Sequence, residues 1–263
     1  MSNNRWHVTL AILNIIGFLG TVVVNALASI LPLNNKTTGE LSDQYPNLFV
    51  PVGLTFSIWG LIYILLAIYM VYQAVTAFKG KTDGKPFIEK IGIFFFLSSL
   101  ANMAWIFAWH YEMVALSLVF MLFLLGFLLA IYLRLSIGKS DSSKAERAMV
   151  HLPFSIYLGW ITVATIANAT ALLVVINWNA FGLGEQFWTV AVIIVGIALS
   201  LAMLFMRKDI FYCPVVDWAL LGILLKRLAV NTAPDQAVVI TAIAGLAIIS
   251  LGIIAQLIRR KVY

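Results

Sequence analysis

Three apolar segments each repeat one arrangement, a large ring beside a small polar group. Thr55, Trp59 and Tyr63 are spaced i, i+4, i+8; Ser98, Asn102, Trp105 and Trp109 follow at helical spacing; Tyr157, Trp160, Ala164 and Asn168 do so again. At about 100° per residue, each set falls within one stripe of a helix. An Asn amide in hydrocarbon is costly unless it finds a partner, so Asn102 and Asn168 should point into a bundle, with the rings on their faces beside them. Inward Trp and Tyr with a few amides suit a flat, mostly apolar ligand: rings stack on it, and amides and hydroxyls orient it. Plain packing fits the same residues. Asn and Ser act as hydrogen-bonding glue between membrane helices, and Trp and Tyr gather at membrane interfaces. Trp6, Trp178, Trp188 and the run Trp109-His110-Tyr111 sit at segment ends, as an interfacial belt would. Trp59, Trp105 and Trp160 lie deeper.

Asp217 is the only carboxylate well inside an apolar segment, with Cys213 one turn earlier on the same face. An intramembrane acid is a functional candidate by default; pairing with a neighbouring Ser or hydration at the helix end accounts for it equally. Other chemistry finds little footing. One cysteine excludes an internal disulfide or a cysteine metal cluster, and His7, His110 and His151 have no ligand spacing. No nucleophile–base pair stands out, so neither an enzyme nor a resident cofactor is called for by the residues.

The elements that must position these side chains follow from composition. The 263 residues are 62% hydrophobic and 11% charged, with a mean hydropathy of +1.00. A soluble domain is about half apolar and about a quarter charged, so an ordinary cytosolic enzyme, a disordered chain and a nucleic-acid binder are excluded. The fold class is all-α, a polytopic integral membrane protein. A spanning helix needs roughly 20 apolar residues, and eight segments qualify: about 8–30, 53–77, 91–110, 113–137, 151–176, 187–206, 211–229 and 237–258. The first has a basic start at Arg5 and a signal-peptide-like Ala26-Leu27-Ala28, but its long apolar run favours a retained helix. The seventh is the weakest, interrupted by Asp217 and closed by Lys226 and Arg227.

Placing the N-terminus inside puts fourteen basic residues on that side, from Arg5, Lys79, Lys81, Lys85 and Lys90 through Arg134, Lys139, Lys144, Arg147, Arg207 and Lys208 to Arg259, Arg260 and Lys261. Only Lys36, Lys226 and Arg227 fall outside. The positive-inside rule then makes both termini cytoplasmic in a multi-pass plasma-membrane protein. The long outer loop 31–52 is polar and rich in turn formers, among them Pro32, Gly39 and Pro46. A loop of that length is either a lid or a disordered connector.

The run Pro51-Val-Gly-Leu-Thr-Phe-Ser-Ile-Trp59-Gly-Leu-Ile-Tyr63 resembles the second-helix motif of the TspO/MBR family, the tryptophan-rich sensory proteins. Asn102-Met-Ala-Trp105-Ile-Phe107 is similar to its third-helix pattern, and Tyr157-Leu-Gly-Trp160 with Ala164 and Asn168 to its fifth. The sequence departs from the pattern in places: Ser57 and Ile156 stand where the family usually has Pro. The resemblance covers about residues 5–176 and implies a five-helix bundle with a cavity under the first outer loop. It implies a planar hydrophobic ligand, a tetrapyrrole (porphyrin or haem-like) or similar, in sensing or transport. Trp59 and Trp160 would be cavity tryptophans, Tyr63, Thr55 and Tyr157 their neighbours, and Asn102, Trp105 and Asn168 their supports. Residues 1–180 then form the TspO-like domain and 181–263 an extension of three helices, free to cover the bundle, form a homodimer face or build a second site. The partners expected are the lipid bilayer and a hydrophobic small molecule, not nucleic acid.

A secondary transporter is the alternative. Phe56-Ser-Ile-Trp59 and Phe154-Ser-Ile-Tyr157 hint at an inverted repeat, though only Asp217 could carry coupled protons. A retinal photoreceptor built on Asp217 and Lys226 is more remote, since Lys226 beside Arg227 reads as a snorkelling side chain.

Overall fold

The chain alternates between two ends of a helical bundle in a computed structural model that describes residues 2–30, 33–79, 87–230 and 235–259. Leu31, Pro32, Lys81, Lys85, Arg260 and Lys261, which enter the loop and the charge count above, lie outside the described residues. The long helices are α1 (Ser2–Ile30), α2 (Ile58–Phe78), α3 (Phe94–His110), α4 (Val114–Leu135), α5 (Leu152–Val175), α6 (Gly184–Arg207), α7 (Cys213–Val230) and α8 (Gln236–Ile258). No strand occurs among the described residues.

Local chemistry sets the ends. Gly92, at φ +54°, splits a short turn, Phe87–Ile91, from α3, which therefore begins at Phe94 rather than at residue 91. Glu112 at φ +58° makes the tight α3–α4 hairpin, where the Met113 amide returns to the Ala108 carbonyl at 2.9 Å. Left-handed Ser136 and Lys208 stop α4 and α6. Asp235 caps α8 by accepting from the Val238 amide at 3.1 Å. Before α5, one wide turn, Arg147–His151, leads into a helix with Pro153 in its first turn, where a missing N–H costs nothing.

Among the described residues, six stretches are long and apolar enough to cross a membrane: Arg5–Ile30, Gly53–Phe78, Val114–Leu135, Lys144–Val175, Gly184–Arg207 and Gln236–Ile258. The shorter α3 is apolar over 17 residues, and the 18-residue α7 carries Asp217, Lys226 and Arg227. Much of the apolar side-chain surface of these helices faces outward, Ile64, Val71, Ile240 and Leu251 among it, as lipid contact requires. The first segment is built into the bundle. His7 bonds Glu89 at 2.8 Å, Asn14 donates to Gln73 at 3.1 Å, and Asn25 donates to Asn102 at 2.8 Å.

The end away from the 33–52 loop carries a feature that the sequence pattern did not single out. Asp209, between α6 and α7, is 1% exposed. Its carboxylate accepts from the Tyr132 hydroxyl at 2.9 Å, from the Ser155 hydroxyl and from the Phe211 amide at 3.0 Å. Arg207 lies over the Tyr132 ring at 5.1 Å. Gly138 touches the Arg207 backbone, leaving no room for a Cβ at its φ of +81°. Burial outweighs the bonds to Asp209 and pushes its carboxyl above the ordinary range. A carboxyl raised by folding binds its proton more tightly in the native state, so ionising it costs stability. Thermal stability in detergent should therefore gain from this group as pH falls from neutral toward the ordinary carboxylate range near about 4. Melting temperatures against pH check this: Asp209→Asn should flatten that part of the profile, and parallel profiles would contradict it.

Candidate functional site

Trp59 is the hub on which the three sequence stripes converge. Its ring stacks on Tyr63 at 5.6 Å and on Trp105 at 6.1 Å, and meets Trp160 and Tyr157 edge-on at 6.3 and 6.0 Å. These spacings lie in the range where aromatic pairs attract beyond their buried area. The amides hold that convergence in place. Asn102 donates to the Tyr157 hydroxyl at 3.1 Å while accepting from Asn25, which ties α1, α3 and α5 together. Asn168 accepts the Trp105 indole N–H at 3.0 Å and exchanges bonds with Ser117 on α4. Their role in this geometry is to orient the rings, and each has partners on another helix.

Between Trp59, Trp105, Trp109 and Trp160 lies a chamber of about 40 Å³, walled also by Asn168, Ala164, Val163 and Ala167 of α5. About 10–15 Å³ holds one water, so the chamber as it stands admits a few waters and no polycyclic molecule. Its polar lining is thin, and among the described residues no charged side chain faces it. The Trp160 indole N–H is notable: the residue is 2% exposed, and that nitrogen has no hydrogen-bond partner. The Tyr63 hydroxyl and Thr55 Oγ1 are likewise buried and unpartnered. Buried donors without partners are rare and expensive, and Trp160 is among the residues that wall the chamber.

Residues 33–52 form the roof. Thr37 and Glu40 make a reciprocal capping box that starts the short helix Thr38–Asp43. Leu41, Phe49 and Val50 are buried beneath it, so the described part of this loop is an ordered lid. Trp109, read from sequence as an interfacial ring, is instead 5% exposed and seats the lid. It stacks on Trp105 at 6.4 Å, meets Tyr45 at 5.5 Å and donates to the Thr38 carbonyl at 3.4 Å. His110 holds the lid beside it, with its ring nitrogens at 3.0 Å from the Leu33 carbonyl and 3.2 Å from the Thr38 hydroxyl. Trp178 and Trp188 do cluster with Phe181 at the lid end of α5 and α6, around a separate cavity.

The last three helices reach this site. Ala219 and Ile223 of α7 line the chamber. Trp218 donates to the Thr55 carbonyl at 2.9 Å, and the Val52 amide bonds the Gly222 carbonyl at 3.1 Å. Lys226 pairs with Asp43 of the lid helix at 2.9 Å, and Glu185 at the start of α6 accepts the Leu48 amide. Thr55, expected on a ligand-facing stripe, thus packs on α7. Sequence periodicity could not find these contacts, because Trp218, Gly222 and Lys226 carry no signal of what they touch. Asp217 lies apart from the chamber lining. It is half-buried, accepts from Ser250 of α8 at 3.1 Å, and leaves its second oxygen unpartnered.

An α-helical membrane bundle with a tryptophan-walled chamber under an ordered lid is the class this geometry defines. The chain belongs to the TSPO-like protein family, whose family model matches residues 11–255. The resemblance read from three short motifs is thereby borne out, and the match runs on through α6 and α7 into α8. No curated protein and no solved structure matches the chain.

The α7–lid contact has a direct test. A Cβ on Gly222 would collide with Thr55 Oγ1 and stand 3.0 Å from Pro51 Cβ. Gly222→Ala should cost about 1–3 kcal/mol through forced overpacking. In detergent it should lower the melting temperature and speed proteolysis within 33–52; an unchanged lid cleavage rate would show that α7 does not hold the lid.

Proposed function

We propose that this protein spans the membrane eight times and binds a planar, hydrophobic ligand beneath its lid, in sensing or transport. The unpartnered Trp160 N–H in the wall of a four-tryptophan chamber carries the reading. Trp59, Tyr63 and Trp160 are the contact residues, with Thr55 and Tyr157 beside them; Asn102, Trp105 and Asn168 orient the rings. The alternation of the long helices between the two ends supports eight spans. At about 1.5 Å per residue, α3 and α7 measure roughly 26 and 27 Å, close to the hydrocarbon thickness. The basic residues then place both termini in the cytoplasm, with the lid outside the plasma membrane. Residues 1–180 form the bundle, and residues 181–263 add the three helices whose α7 completes the chamber.

The family resemblance points to a tetrapyrrole. Among the described residues, neither the chamber nor the lid supplies a free cation for its carboxylates: Lys36 is engaged by Glu112 at 2.6 Å and Lys226 by Asp43. The neutral form is therefore the better probe. Binding requires Phe56 and Trp59 to swing outward, because the closed chamber is far smaller than the ligand.

Titration of purified protein in detergent with protoporphyrin dimethyl ester, read by tryptophan fluorescence, tests this. Inner-filter absorption and partition into empty micelles need correction. Saturable quenching is expected, weakened several-fold in both Trp59→Phe and Trp160→Phe, since loss of one hydrogen bond or stacking contact costs about 1 kcal/mol. Linear quenching, equal in all three proteins, would reject the site.

A further inference from the structure

A second cavity, of about 380 Å³, opens on the other side of Trp59. Phe56, Trp59 and Thr38 line both spaces, so two ring side chains are the partition between the small chamber and a larger vestibule. The linings differ. The chamber is apolar, whereas the vestibule is bordered by Asn25, Ser29 and Thr37, by the Tyr63 side chain with its unpartnered hydroxyl, and by two carboxylates, Glu40 and Asp43. Among the described residues, no Lys, Arg or His lines either space. Asp43 is paired with Lys226. Among the described residues no cation is paired with Glu40, whose partners are the Thr37 amide at 2.7 Å and the Thr37 hydroxyl at 2.9 Å. Those bonds hold its carboxyl below the ordinary range.

The surroundings reinforce the sign. The lid end carries five acids, Glu40, Asp43, Glu112, Glu185 and Asp235, against three bases, Lys36, Lys226 and Arg227, although the whole chain is +6. An anionic head entering the vestibule meets like charge, and a cationic one meets Glu40 and, once Trp59 swings away from its stacked partners Tyr63 and Trp105, an indole face. A cation within about 6 Å of an indole face is attracted to it, more strongly once desolvated.

We propose that the ligand is an amphiphilic amine, its flat apolar body taken between the chamber tryptophans and its protonated nitrogen left in the vestibule beside Glu40 and Trp59. This rests on the reading of the chamber as the ligand site and adds the chemical class of the ligand. Phe56 and Trp59 swing aside to join the two spaces, and the polarity gradient across them orients the bound molecule, amine toward the lid.

Three planar probes of one shape and different charge decide the matter: pyrenemethylamine, pyrenemethanol and pyrenecarboxylic acid. Each is titrated at neutral pH into purified protein, read by energy transfer from tryptophan to pyrene, with empty micelles as the partition control. The amine should bind at least about tenfold tighter than the acid, with the alcohol between, and its advantage should shrink as salt is raised. Glu40→Gln, which keeps the capping box, should remove most of the gap between amine and alcohol. The wild-type series alone suffices should that variant fail to fold. Equal saturable binding of all three, or tightest binding of the acid, would overturn the amine and leave the chamber as the site. Absence of saturable transfer from any probe would reject the chamber reading and the amine with it.

Discussion

An amide in hydrocarbon must find a partner on a neighbouring helix, and the rest of this site depends on that constraint. Asn102 sits fully buried between the Asn25 amide of α1 and the Tyr157 hydroxyl of α5. Asn168 joins α5 to Trp105 of α3 and Ser117 of α4. Apolar side chains alone leave a membrane helix free to rotate, since lipid tails are as good a surface as Leu. Two cross-helix amides remove that freedom for α3 and α5. Once their azimuths are fixed, Trp105, Trp109 and Trp160 have nowhere to point except inward, and Trp59 of α2 fills the space that remains. The aromatic cluster is thus a consequence of the polar bonds and a packing payload added to them.

The lid is held by a second set of contacts, and these come from the far end of the sequence. A surface ion pair such as Lys226–Asp43 contributes little alone. Here it acts with two hydrogen bonds, one from the Trp218 indole N–H to the Thr55 carbonyl and one from the Val52 amide to the Gly222 carbonyl. Closing the lid therefore means docking the residues before α2 against α7. α7 also carries two residues of the chamber wall, Ala219 and Ile223.

How much of this was legible follows from which interactions are local. Helical periodicity within α2, α3 and α5 placed Thr55, Trp59, Tyr63, Asn102, Trp105, Tyr157, Trp160 and Asn168 on stripes, and the cost of a bare amide turned the stripes inward. Length and hydropathy found the long helices, with boundary errors where a single residue intervened: Gly92 delayed α3, and the hydrogen bond from the Phe211 amide to Asp209 marks the turn before α7. Contacts between distant segments were not legible. Trp109 carries the same identity and end position as an interfacial ring, and only the folded lid distinguishes the two. Asp209 sits beside Arg207 and Lys208 in sequence and looks like part of a solvated turn; its burial depends on Tyr132 and Ser155, distant in sequence on α4 and α5.

The two ends of the bundle end up chemically opposed, and the asymmetry has a structural origin. At the lid end, acids cap helices and tether the lid: Glu40 closes a capping box, Asp235 starts α8, and Glu185 holds Leu48. Carboxylates suit those tasks because helix N-termini offer free N–H groups and a positive dipole end. Four of the eight long helices, α2, α4, α6 and α8, begin at that end, and the lid helix adds a fifth N-terminus. At the opposite end, where α2, α4, α6 and α8 finish, Arg and Lys meet helix C-termini, as Arg134 and Arg207 do. Two acids of that end, Glu40 and Asp43, also border the vestibule. The chamber beneath is walled by indoles and apolar side chains, so the polarity of the site falls from the lid inward with no charged group in the chamber lining among the described residues.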